Sequence, residues 1–250
     1  MRDYFVYDGV PSTDFNTFVA SSNFYASPAE SVKREQVPGR NGDIIISNNR
    51  YENLKLEVMT YIPEDAAGHA KHLRGFLMSR KNYCRYEESL NPDFFRMARF
   101  IGPFEPDPID RWRGGVELTF DCKPQMFLKT GDISVHYART DYPNGFDVYN
   151  PFEFTASPMI HAFGTGAITI NGVTVTILSR PDLPDGSPLP YFIIDCERKD
   201  CYYANNSGTI VMNLNPYVSL SSDFPELPAG QSHISFTCTA IDFAPRWWTI

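Results

Sequence analysis

Long apolar runs are missing from this chain, and nothing in it approaches the length needed to cross a bilayer. The opening run Met1-Arg2-Asp3-Tyr4-Phe5-Val6-Tyr7-Asp8 lacks the apolar core of a signal peptide, so synthesis and first residence in a cytoplasm are expected. Cysteine is scarce: Cys84, Cys122, Cys196, Cys201 and Cys238 are odd in number and scattered, which argues against a disulfide scaffold. Cys122 and Cys238 sit in alternating apolar patterns, as small core residues would. Cys196 and Cys201 face each other across an expected hairpin, where a bridge is geometrically conceivable, but a reducing compartment favours free thiols. A zinc site would need a second ligand pair at similar spacing, and there is none.

Positive charge is also short. No basic run of five or more residues occurs and the net charge is −8, which argues against nucleic-acid binding. Catalytic signatures are absent: no Gly-x-Ser-x-Gly elbow, phosphate loop or dinucleotide fingerprint is present. His136, His161 and His233 are isolated. His69 and His72 lie three apart on an expected helix, without a third metal ligand. The pairs Glu87-Glu88 and Asp107 with Asp110 are the kind that 30 acidic residues produce by accident. The expectation is a protein that is not an enzyme and uses no cofactor or metal.

The chain is 42% hydrophobic and 21% charged, in the range of folded soluble proteins, and its 250 residues suffice for one large or two ordinary domains. Aromatics at 14% and 20 prolines favour many short strands broken by turns. In the first half, strands are expected at 5–10, 18–20, 32–37, 44–46 and 54–60. Pro38-Gly39-Arg40-Asn41-Gly42-Asp43 and Ser47-Asn48-Asn49 read as the turns of two consecutive hairpins. A helix is expected over 64–79, begun by Pro63, Glu64 and Asp65, with an apolar stripe of Ala67, Ala70, Leu73, Phe76 and Leu77. Strands at 83–87, 96–101 and 115–122 follow.

From 132 to 149 the chain is rich in turn residues and lacks apolar periodicity, and the domain boundary is placed there, giving units 1–135 and 136–250. The second half reads as almost wholly β. Asn171-Gly172 between Ala167-Ile168-Thr169-Ile170 and Val173-Thr174-Val175-Thr176-Ile177 is a strong hairpin signal. Tyr191–Cys196 with Cys201–Ala204, then 210–214 and 233–240, continue the pattern of a sandwich or jelly roll. Two of the three tryptophans, Trp247 and Trp248, stand near the C-terminus. Exposing such a pair is costly, so the segment 244–250 is expected to dock on its own sandwich, on the N-terminal domain or on a neighbouring chain.

Four segments carry a family resemblance: Val37-Pro38-Gly39-Arg40-Asn41-Gly42-Asp43, Ala98-Arg99-Phe100-Ile101-Gly102-Pro103-Phe104, Leu118-Thr119-Phe120-Asp121-Cys122-Lys123-Pro124-Gln125 and Arg246-Trp247-Trp248. In this order, over nearly the whole chain, they resemble the distal tail proteins of long, flexible-tailed phages of Gram-positive hosts. The resemblance implies a mainly β fold, with an N-terminal split-barrel-like β-domain bearing one helix and a C-terminal galectin-like β-sandwich.

It also implies a structural protein of the virion tail tip, assembled in the cytoplasm of the bacterial host. Its N-terminal domains would form a hexameric ring between the tail-tube protein and the tail-associated hub or lysin protein. Its galectin-like domains would project outward, available to a receptor-binding protein. Gly39, Arg40, Asn41 and Asp43 become candidate interface residues on a ring-forming or channel-side loop, and Arg246, Trp247 and Trp248 candidates at the docked terminus. No membrane contact is implied. The alternative is a carbohydrate-binding module for host-wall glycans, with Phe192, Tyr202 and Tyr203 available for stacking. Against it, the second half has no tryptophan before Trp247 and lacks the polar set of a galectin site. A cell-wall hydrolase lacks any motif.

Overall fold

The computed structural model describes residues 2–106, 114–205 and 207–250. The pair Asp107 and Asp110 therefore lies outside the described residues. The fold is mainly β with one α-helix, and its contacts divide it into two units between Met126 and Phe127. That break falls inside a continuous strand, ahead of the expected 135/136 boundary. The turn-rich stretch chosen for the boundary instead supplies two strands of the second unit, whose side chains include Tyr137 and Phe146, stacked at 3.6 Å.

The first unit contains β1 (Phe5–Tyr7), β2 (Val10–Pro11), β3 (Phe18–Ser22), β4 (Glu30–Glu35), β5 (Ile44–Tyr51), β6 (Leu54–Ile62), helix α1 (Ala66–Ser79), β7 (Cys84–Glu88) and β8 (Asn91–Phe100). Most of β9 (Gly114–Leu128) also belongs to it. The main sheet runs β2–β1–β7–β8–β9–β6–β3. Strand β6 alternates buried and exposed without a break, so Leu54, Leu56, Val58 and Ile62 face inward with Leu118 and Phe120 of β9. Helix α1 buries Ala66, Ala70, Leu73 and Leu77. It begins two residues later than expected, because Asp65 takes a left-handed conformation at its N-terminus, and Ala67 points to solvent while Ala66 is buried.

The second unit contains β10 (Val135–Ala138), β11 (Phe146–Asn150), β12 (Met159–Phe163), β13 (Gly166–Ile170), β14 (Val173–Ile177), β15 (Phe192–Asp195) and β16 (Asp200–Ala204). It continues through β17 (Ile210–Asn213), β18 (Gly230–Phe236), β19 (Ala240–Ala244) and β20 (Trp248–Thr249). One sheet runs β10–β19–β12–β15–β16–β17 and the other β11–β18–β13–β14. Ile160, Ile194, Ile241 and Phe243 of the first sheet share a core with Ile168, Val175, Ile234 and Phe236 of the second, which makes a two-sheet sandwich. The Asn171-Gly172 hairpin forms as expected, both residues taking the positive φ of a tight turn. The expected 233–240 strand is in fact two strands, with a break at 237–239.

All five cysteines are free thiols, and four are buried. Burial pushes Cys122 and Cys201 up to about 12 and Cys238 up to about 11, so these thiols stay protonated and unreactive near neutrality.

Arg246, Trp247 and Trp248 pack on residues of the second unit. Trp247 is 8% exposed and joins the sandwich core. Its carbonyl accepts from Leu128 N–H at 2.9 Å. It also packs so tightly on Gly131 that a Cβ there would sit 2.7 Å from the Trp247 nitrogen. Arg246, at φ 58°, donates its backbone N–H to Gly131 and its guanidinium to Asp195 at 3.3 Å and Glu197 at 2.5 Å. Trp248 stacks on Phe154 at 4.7 Å and donates its indole N–H to the Thr155 carbonyl. Truncating a buried aromatic typically costs about 3–5 kcal/mol. Trp247→Ala is therefore expected to destabilise the second unit by an amount in that range, read from urea unfolding. A change under about 0.5 kcal/mol, the size of an ordinary surface substitution, would contradict core docking of this residue.

Candidate assembly surface

Strands β4 and β5 form a separate two-stranded sheet that pairs with no other described strand. Every residue from 33 to 50 is exposed. The pairing Lys33 with Ile46, Arg34 with Ile45 and Glu35 with Ile44 assigns the faces, because residues directly opposite share one side. Ile44 and Ile46 lie on one face with Lys33 and Glu35. Ile45 lies on the other with Arg34. The three isoleucines are 38%, 63% and 44% exposed in chain order. Burying an isoleucine is worth about 1.5–3 kcal/mol, and an isolated two-stranded hairpin is marginal in water. This arm thus carries apolar surface on both faces that its own chain leaves uncovered.

The expected turn at 38–43 is present, within a loop over 36–43 that joins β4 to β5. Pro38 leads into Gly39 at φ 81°, with Arg40 N–H returning to the Val37 carbonyl at 3.1 Å, a turn that needs glycine at its third position. Gly39, Arg40, Asn41 and Asp43 are therefore together at the exposed end of the arm. The second expected turn, Ser47-Asn48-Asn49, is not a turn. It lies inside β5, where Asn49 at φ 51° accompanies an irregularity opposite Glu30–Val32. Strand β5 consequently does not pair with β6, so the second of the two expected hairpins does not form.

The arm stands on two legs. The outgoing leg, 23–29, is bracketed against β6 by Asn23, whose amide donates to the Lys55 carbonyl and accepts from Glu57 N–H at 2.8 Å. It is also gripped by Arg96 of β8, which is 0% exposed. The guanidinium donates to the Phe24 carbonyl from Nε and Nη2 (3.1 and 2.9 Å), to Ala26 at 3.1 Å and to Pro124 of β9 at 3.2 Å. Glu88, 3% exposed, supplies a nearby negative charge while accepting from Ser22 and Tyr86 hydroxyls, each at 2.7 Å. Burial raises its carboxyl above the usual carboxylate range. On the return leg, Asn53 donates to Tyr83 and Asp121 at 2.8 and 2.9 Å. The sequence reading missed Arg96, although it stands in phase with buried Ala98 and Phe100 along β8.

The remaining candidates fall elsewhere. Arg246 and Trp247 are engaged by the ion pairs and core described above, and Trp248 is partly exposed. Phe192 is fully buried and Tyr202 is 8% exposed, which removes both as open platforms for a sugar ring. Tyr203 is partly buried against the sandwich core. Among the described residues, no group of three or more His, Cys, Asp or Glu side chains is arranged to hold a metal ion.

Among solved structures the chain is similar to the Dit protein of phage SPP1, described as a paradigm of the hub adsorption apparatus in phages infecting Gram-positive hosts. The TM-score is 0.69 over 100% of both chains, with 14% identical residues. It is also similar to a chain of the phage p2 baseplate in its activated conformation, with TM-scores of 0.57 in the strontium form and 0.56 in the calcium form. Those alignments cover 97% of each chain at 9% identity. No protein-family model and no curated protein sequence matches. The fold is thus that of the phage hub proteins, in agreement with the distal-tail resemblance of the four sequence motifs.

Because every residue from 33 to 50 is exposed and β4 and β5 pair with no other described strand, substitutions on the arm should spare the fold. Ile45→Thr is expected to change the unfolding free energy of the isolated subunit by less than about 0.5 kcal/mol. Loss of more than about 2 kcal/mol in urea titration would show that the arm is part of the subunit core.

Proposed function

We propose that this chain is a structural protein of a siphophage tail tip that assembles head to tail into a ring, six subunits being the expected number. The reading is carried by one observation: an arm with exposed isoleucine on both faces that pairs with no other described strand, in a chain similar in fold to a phage hub protein over its full length. In a heterologous interface each subunit offers one surface and receives another, and the contact closes when the rotation does. The arm supplies the offered surface. Arg40 and Asp43 at its tip are oppositely charged and set the register of the contact more than its strength.

In this role the ring joins the tail-tube protein to the tail-associated hub or lysin protein. The second unit remains available to a receptor-binding protein. The protein resides at the virion tail tip after assembly in the bacterial host. Its action is to connect and position, without catalysis.

Purified protein observed by negative-stain microscopy and native mass spectrometry is expected to give closed rings, with six subunits as the dominant mass. Arg40→Glu should shift the mass toward monomer while leaving the circular dichroism unchanged. A wild-type chain that stays monomeric across a dilution series up to millimolar would contradict ring assembly. Specific binding of purified cell-wall glycan by such a monomer would favour the carbohydrate-binding alternative.

A further inference from the structure

We propose that Arg96 is the positioning residue of the arm, fixing the direction in which β4 and β5 leave the body. This deepens the ring reading and rests on it only where assembly is measured. Strands β4 and β5 pair with no other described strand and residues 33–50 are all exposed, so the arm's direction depends on what holds its two legs. The return leg is held by Asn53, an exposed side chain whose bonds compete with water. The outgoing leg is held by a fully buried guanidinium, and three of its four hydrogen bonds reach Phe24 and Ala26 of that leg. The fourth reaches Pro124 on β9, which ties the leg to the middle of the main sheet. Arg96 bonds carbonyls on two separate segments at once, which suits the planar fork of arginine and not the single head of lysine.

The placement is costly as a means of stability alone. A buried cation loses its hydration, and well-packed apolar residues often do as well at the same site. Among the described residues the guanidinium bonds carbonyls and no carboxylate, and Glu88 compensates its charge from nearby. What the arrangement supplies is geometric definition. Phe24 is 1% exposed and Pro28 is buried, so the leg is seated on both sides of the bonded carbonyls just before β4 starts at Glu30. At the base of the arm, Glu52 N–H bonds the Ala29 carbonyl at 2.8 Å and locks the two legs together. A rotation at residues 24–26 would therefore swing the whole arm, and with it Ile44, Ile45 and Ile46.

The test uses the full chain with Cys84→Ser, which removes the one partly exposed thiol. Spin labels are attached at Asn41→Cys on the arm tip and Lys55→Cys on β6, with labelled protein diluted into unlabelled so that one pair is read per assembly. With Arg96 in place, a single narrow tip-to-body distance is expected in assembled and dissociated protein alike. Arg96→Met should broaden that distribution about two-fold by releasing one leg, and should raise the concentration at which rings form about ten-fold. Arg96→Lys should fall between. If Arg96→Met fails to fold, insertion of Gly-Gly between Ser27 and Pro28 leaves the Arg96 bonds intact and uncouples them from the arm. It should broaden the distance equally.

An unchanged, narrow distance in the folded variant, or in the insertion, overturns the proposal. Broadening in a chain that never assembles upholds the positioning role and overturns the ring reading instead.

Discussion

A two-stranded sheet cannot cover both of its own faces. That constraint governs the first unit of this protein. Strands β4 and β5 satisfy each other along one edge and leave Ile44, Ile45 and Ile46 in water, on opposite sides of a ribbon only one layer thick. Neither strand pairs with the main sheet, and residues 33–50 are exposed instead of packed inward. The surface they present becomes favourable only when something outside the subunit closes over it. The rest of the unit can be understood as the mounting for that ribbon: a sheet with a core of Leu56, Val58, Leu118 and Phe120, and two bonded legs. The charged residues Lys33, Arg34 and Glu35 interleave with the isoleucines, which limits indiscriminate strand pairing while leaving a specific partner possible.

The second unit solves a different problem. Its tail ends in two tryptophans, and the fold spends them differently. Trp247 fills the sandwich core, while Trp248 lies over Phe154 with its indole N–H satisfied. Gly131 is needed for this, because any side chain there would collide with the Trp247 backbone. Arg246 lies at the turn into the Trp pair, and its ion pair with the nearly buried Asp195 ties the tail to the end of β15. The C-terminal motif that contributed to the family resemblance is thereby a stabilising element of the sandwich.

Much of the fold was legible where one signal dominated. The alternation of Leu54, Leu56 and Val58 and the Asn171-Gly172 turn each have one dominant reading and are as expected, and of the helix stripe Ala70, Leu73 and Leu77 are buried, Phe76 is half-buried and Ala67 is exposed. Failures arose where a local signal had two physical uses. Asn48-Asn49 has turn chemistry, but a positive φ at Asn49 serves an irregular strand equally well. The stretch 132–149 looks like a linker because its apolar residues are few, yet Tyr137 and Phe146 pair across the sequence into one stack. The turn chemistry of Pro38 to Asp43 was legible, and a loop lies there. The uncovered isoleucines beside it were not, since Ile44-Ile45-Ile46 is equally consistent with a buried strand. Arg96 was legible in principle, a charge in phase with Ala98 and Phe100, but its partners are carbonyls, which leave no trace in side-chain identity.

The central claim is that the arm is covered by a neighbouring subunit. Amide hydrogen exchange of residues 30–51, followed in the assembled particle and in dissociated subunits of the same protein, tests it most directly. Covered isoleucines predict that the amides of Ile44, Ile45 and Ile46 exchange at least about a hundred-fold more slowly in the particle than in the free subunit. Equally fast exchange in both states would leave the arm uncovered in the assembly and contradict the account.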